Sequence, residues 1–146
     1  MKKIILGSVL AVFAFAGHGD INDPGFKLLQ EGKNKKAIEM WKKECNNGNG
    51  WACGNVGIFL YVGIPGIKTD VSTAKKYANK GCELHDIGSC SILGEMAYAE
   101  KNMLTAKGYF EKVCGMKKYL KTSPSFVRAL YANTIAENCK RVNLIK

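Results

Sequence analysis

The sequence predicts an all-α protein, a short solenoid of stacked helix pairs closed by a final capping helix. Three observations carry that expectation. Cysteines recur: Cys45 and Cys53 are eight residues apart, Cys82 and Cys90 are eight apart, and the two pairs are offset by 37. Other residues keep that offset, Ala37 to Ala74, Gly57 to Gly94 and Tyr61 to Tyr98, and periods of roughly 30–45 residues mark stacked supersecondary units. Apolar residues fall at helical spacing, while the alternation typical of strands is scarce.

Composition bounds the rest. A chain of 146 residues is one domain, and 47% hydrophobic with 23% charged residues describes a globular chain, not a disordered one. Lysine and arginine outnumber aspartate and glutamate by 22 to 12, a formal charge of +10. The chain is short for most enzyme folds.

Residues 1–16 read as a secretory signal peptide: Met1-Lys2-Lys3, an apolar run from Ile4 to Phe15, then Ala14-Phe15-Ala16 as the cleavage site. That run is too short for a permanent span, so no stable membrane insertion is expected. Loss of Lys2 and Lys3 leaves 20 cations against 12 anions, or +8. Export demotes nucleic acid as a partner despite the charge.

Residues 17–146 then form a single domain, with repeats near 23–46, 47–83 and 84–118 and a capping helix over 124–142. Seven helices are expected, near 23–31, 34–46, 50–62, 71–83, 87–100, 102–118 and 124–142. In the second, Ala37, Ile38, Trp41 and Cys45 make one stripe. Asn47-Gly48-Asn49-Gly50 ends it with residues suited to left-handed C-caps. Gly63-Ile64-Pro65-Gly66 breaks the third. Asp70 is the expected N-cap of the fourth, which carries Ala74, Tyr77 and Ala78. The sixth is a partial third copy, 32 residues beyond the second, with Ala106 for Ala74, Tyr109 for Tyr77 and Cys114 for Cys82. Ser123-Pro124 reads as the N-cap and first position of the last helix.

The run Trp51-Ala52-Cys53-Gly54-Asn55-Val56-Gly57-Ile58-Phe59-Leu60-Tyr61-Val62-Gly63, followed by a helix with Tyr77 and a lysine, resembles the Sel-one-like repeat, a relative of the tetratricopeptide repeat. The added eight-residue cysteine spacing is similar to the secreted Helicobacter cysteine-rich protein family. The resemblance covers roughly residues 23–119 and implies a right-handed αα-hairpin solenoid of about three disulfide-stapled repeats. The chain departs from the family at Leu60 and Ala97, where tyrosine is usual, in a shortened second-to-third loop, and at Cys139.

Antiparallel helices joined by a tight turn bring residues eight apart within bridging distance, so Cys45–Cys53 and Cys82–Cys90 are expected to pair. Cys114 and Cys139 are 25 apart. Parity and export favour a third bridge. Simple antiparallel packing opposes it, because Cys139 would lie about 21 Å along its helix and Cys114 about 6–10 Å from the end of its own. A direct bridge would need a bent or shortened last helix, and both outcomes stay open.

No metal and no cofactor are expected, because the only histidines are His18 and His85 and the cysteine spacing is not that of a zinc site. No catalytic residue is assigned. His85 reads as a turn residue. Ser72-Thr73-Ala74-Lys75 matches the S-x-x-K string by chance, without its S-D-N and K-T-G companions. The resembled family has been described as penicillin-binding or weakly β-lactam-hydrolysing, and no residue here explains such an activity. Lysine pairs stand at 35–36, 42–43, 75–76 and 117–118, mostly on second helices, which face outward in the resembled family; they read either as a solvated convex face or as a surface weakly attracted to anionic glycan or membrane.

First helices line the concave side in the resembled family, so the resemblance implies a binding groove carrying a two-rung ladder: Asn55, Ile58 and Tyr61, then Ile92, Glu95 and Tyr98 one repeat later. Two readings compete. Either the ladder is accessible and holds a partner, or the last helix, near Phe126 and Leu130, folds back over it. The functional expectation is an exported monomeric module that binds a protein or a peptidoglycan or β-lactam-type ligand. A β-lactamase-like hydrolase and a periplasmic assembly factor or inhibitor are the alternatives.

Overall fold

A computed structural model describes residues 23–145, so the expected signal segment lies outside the described residues. Seven α-helices are present among them: α1 Pro24–Gln30, α2 Asn34–Asn46, α3 Gly50–Val62, α4 Val71–Glu83, α5 Ile87–Ala99, α6 Met103–Cys114 and α7 Arg128–Leu144. The described residues contain no strand beyond one isolated bridge between Ile64 and Ile67. Each helix packs on the next, and α3 also meets α5, as α5 meets α7.

Four of the turns are built alike. After α1, α2, α4 and α5 the second residue past the helix has a positive φ: Gly32 at 72°, Gly48 at 91°, His85 at 62° and Lys101 at 60°. In each, that residue and the next send their N–H groups back to helix carbonyls. Gly48 donates to Cys45 at 3.1 Å and Asn49 to Glu44 at 3.0 Å, while His85 donates to Cys82 at 3.1 Å and Asp86 to Gly81 at 2.9 Å. This closes the helix with a Schellman motif. The closing residue is also the N-cap position of the next helix. Asn49, Asp86 and Asn102 use their side chains to accept from Ala52, Ser89 and Thr105 N–H groups. The turn thus reverses the chain in three residues and makes consecutive helices antiparallel.

The α3–α4 connection is longer, and Gly63, at φ 76°, ends α3 as the Gly63–Gly66 breaker predicts. Asn34 Nδ2 donates to the Pro65 carbonyl at 2.7 Å, tying this loop to α2.

The core follows the repeat. Gly57 lets α3 approach α4, where an added Cβ would lie 3.3 Å from the Ala74 carbonyl and the Ala78 nitrogen. At the first end Phe26, Trp41, Trp51 and Phe59 interlock, with Trp41 stacked on Phe59 at 5.5 Å and edge-on to Phe26 at 5.2 Å. Such buried aromatics typically cost about 3–5 kcal/mol when cut to alanine. They hold the seven-residue α1, which is too short to be stable alone.

The C-terminal third differs from the sequence expectation in two ways. The helix expected over 102–118 is α-helical only to Cys114 and continues as a 3₁₀ arm, Gly115–Lys121. The last helix begins at Arg128, after a short 3₁₀ turn over Ser125–Val127. Ser123 does not cap forward. Its hydroxyl donates back to the Tyr119 carbonyl at 2.9 Å and ends the arm.

Candidate functional site

All six cysteines are paired. Cys45–Cys53 and Cys82–Cys90 bridge α2 to α3 and α4 to α5 with Cα separations of 4.7 and 4.6 Å. Their sulfurs repeat a local contact as well: Cys53 Sγ lies 3.8 Å from the Cys45 carbonyl and Cys90 Sγ 3.6 Å from the Cys82 carbonyl.

Cys114–Cys139 also forms, with a Cα separation of 4.9 Å. A plain helix over 102–118 would end only about 6 Å past Cys114. Instead the 3₁₀ arm carries the chain about 14 Å further, at roughly 2 Å per residue, before it turns. The last helix returns about 16 Å from Arg128 to Cys139, at 1.5 Å per residue. The two lengths match, so the sulfurs come level.

The six ladder residues do not share one environment. Ile58 and Ile92 are buried, at 6% and 9% exposure, and belong to the core. The accessible six-residue ladder is corrected to that extent: two of its members face packed neighbours. Asn55, Tyr61, Glu95 and Tyr98 are half-buried. The Asn55 Nδ2 is a buried donor with no hydrogen-bond partner among the described residues. Burial, then the negative charges of Glu95 and Glu100, push the Tyr61 phenol above its usual range, which Lys75 only partly offsets. The two rungs therefore adjoin.

The last helix meets the second rung. Glu95 is ion-paired to Arg141 of α7, and Arg141 also lies 5.2 Å over the Phe110 ring. Tyr98, Val142 and Ile145 all pack against the small cluster of Ala97, Ala106 and Phe110. Below this, Asn138 Nδ2 donates to Ser91 Oγ at 3.1 Å, and Tyr131 donates to Asp86 Oδ1 at 2.5 Å. The pairs 86–131, 91–138 and 95–141 rise together, so α5 and α7 run parallel and meet along a row of polar pairs.

Asp86 is the base of this row. Its Oδ2 accepts from both the Ser89 N–H and hydroxyl at 2.7 Å. Burial raises its carboxyl above the ordinary range, against the lowering hydrogen bonds from Tyr131 and Ser89. Burial and the Asp86 charge raise the Tyr131 phenol well above its own range. Sequence reasoning missed this cluster. Two signals were present: Asp86 stands where the 37-residue offset puts the simple cap Asn49, and Tyr131, Ile135 and Asn138 form a helical stripe.

Ser72 is exposed in the first turn of α4, and Lys75 is bound to Glu100 at 2.6 and 2.9 Å. His85 is stacked on Tyr119 with ring centres 4.3 Å apart. Among the described residues no three histidine, cysteine or acidic side chains gather to hold a metal ion. No helix among them is long and apolar enough to cross a membrane.

Fold and site define a class: an all-helical, repeat-like protein closed by three disulfides, a chemistry that points to an oxidising compartment. Comparison with known proteins finds no matching family model, no matching curated protein and no matching solved structure.

Proposed function

We propose that this is an exported Sel-one-like repeat protein, a right-handed αα-hairpin solenoid that acts as a binding module for a protein or cell-wall ligand. The reading rests on the repeated turns, the repeated Cys–Cys staples and the resemblance of the Trp51–Gly63 run to that repeat. The ligand surface is the inner face of α3, with Asn55 and Tyr61 at its centre and the Glu95 rung at its margin.

One observation carries the assignment of that surface. The Asn55 Nδ2 has no partner, although buried donors are nearly always satisfied. The donor is closed to solvent, as are the unpartnered Trp41 Nε1 and Asn138 Oδ1, so a ligand carbonyl or carboxylate satisfies it once the amide turns outward. Tyr61, half-buried further along α3, adds the amphipathic ring that binding centres favour.

The hydrolase alternative has less support. Ser72 sits in solvent, and Lys75, the base its S-x-x-K reading would need, is occupied by Glu100.

Asn55→Ala tests the reading. Removing an unsatisfied donor is close to neutral for folding. The variant should keep its melting temperature and lose capture of the ligand retained by oxidised wild-type protein from periplasm and envelope fractions. Unchanged capture by both Asn55→Ala and Tyr61→Ala would remove the inner face from consideration.

A further inference from the structure

From Lys112 to Ala136 the chain carries five cations and no carboxylate. The fold gathers most of that charge at one corner, built from the 3₁₀ arm and the start of α7. Lys117, Lys118, Lys121 and Arg128 are all exposed there. Among the described residues none of the three lysines takes part in an ion pair.

The corner is also held in place. Cys114–Cys139 fixes the root of the arm. Arg128 closes the far end, donating from Nε to the Ser123 carbonyl and from Nη2 to the Lys121 carbonyl, each at 3.1 Å. Midway, Tyr119 stacks on His85, and the Lys118 ammonium lies 5.0 Å over the Tyr119 ring. His85 does this from a left-handed backbone position that its equivalent, Gly48, occupies more easily. The equivalent turn has no such stack. Glu83 is the one exposed acid bordering His85 in the α4–α5 turn.

Charge without counter-charge on a braced segment suits a ligand that brings many oxyanions at once. Lys117, Lys118 and Lys121 are strung along the arm and Arg128 closes its far end, which is a row rather than a pocket. We propose that this corner is a docking surface for a linear polyanion, an extended glycan chain bearing sulfate or phosphate groups. The surface is separate from the inner face of α3 and does not depend on it.

The test uses oxidised full chain and dextran sulfate, with neutral dextran as reference. The variant Lys117→Gln/Lys118→Gln/Lys121→Gln is set against Lys35→Gln/Lys36→Gln/Lys43→Gln, which removes the same net charge from α2. Wild-type protein should bind dextran sulfate and not dextran. The corner variant should bind at least about tenfold more weakly, and its slope of log affinity against log salt should fall by about 2. The α2 variant should change less than about twofold. Equal weakening in both variants would overturn the proposal, since net charge alone would then be the cause. Binding to phosphatidylglycerol vesicles but not to dextran sulfate would overturn it in favour of a bilayer. Lysine acetylation of the wild-type protein gives a readout independent of variant folding. Dextran sulfate should protect Lys117, Lys118 and Lys121, and lack of protection would sink the idea.

Discussion

At residue scale Asp86 shows how one repeat position takes on a second task. Asn49, its equivalent, caps α3 with a neutral amide, and its carbonyl oxygen accepts one N–H. Asp86 caps α5 in the same way and also receives the Tyr131 hydroxyl from a helix 45 residues away. The cost is a buried carboxylate, and its sign with pH follows. Its folded value is raised above the ordinary 3.8, so the folded chain holds this proton more tightly than the unfolded one. The stabilising contribution is complete below about 3.8 and is lost as pH rises through the raised folded value. Tyr131→Phe removes a hydrogen bond that favours the ionised form. It should destabilise the protein by about 1.5–3 kcal/mol at neutral pH and by less at pH about 3.5, where the carboxyl is protonated. Thermal melts at both values check this. An equal loss at both would mean that Tyr131 does not bond to the ionised carboxylate.

At element scale the four repeated turns set the antiparallel path of the helices. Two of them place glycine at the left-handed position, and there the sequence was readable: Asn47-Gly48-Asn49-Gly50 announces its own geometry. The other two place His85 and Lys101 there; histidine is enriched at positive φ only modestly beside glycine, and lysine is not enriched. They adopt it because both ends of the turn are fixed by packed helices, information that no local window contains. The same limit explains the overrun of α6. The helical pattern continues past Cys114, and only the bridge to α7 and the return of the chain at Ser123 select the tighter 3₁₀ arm. Lys101 offers a clean measurement, since its side chain is exposed and makes no ion pair among the described residues. Lys101→Gly should raise stability by about 0.5–1 kcal/mol by removing the left-handed penalty. Gly48→Ala should lower it by about 1–2 kcal/mol for the converse reason. Denaturant midpoints give both values, and a lower midpoint for Lys101→Gly would show that its turn is not strained.

At the scale of the whole molecule, charge and cross-links divide the chain into layers. The first helices of the pairs are nearly uncharged: α3 has no charged residue and α5 only Glu95. Lysines gather on α2, α4, α6 and the arm. That division was legible, because it follows the repeat. The polar row between α5 and α7 was not, because it joins a repeat to a segment outside the pattern.

The three bridges differ in the same sense. Cys45, Cys53, Cys82 and Cys90 are at most 2% exposed, inside antiparallel pairs with a packed core. Cys114 and Cys139, which join α6 to α7, are half-buried. A dithiol reductant should therefore reach Cys114–Cys139 first, since exchange requires in-line access to a sulfur. Alkylation after mild reduction of folded protein should label Cys114 and Cys139 before the other four. Opening this bridge should also matter most in the chain-entropy account. Its 25-residue separation corresponds to about 3.5 kcal/mol, against about 2.6 for the shorter loops. Cys114→Ser/Cys139→Ser should lower stability by that order. The near-ultraviolet signal of the Phe26, Trp41, Trp51 and Phe59 cluster should persist, because that cluster is built from α1, α2 and α3, which this bridge does not join. First labelling at Cys45 or Cys53, or loss of the aromatic signal along with the last bridge, would mean instead that the two ends open as a single unit.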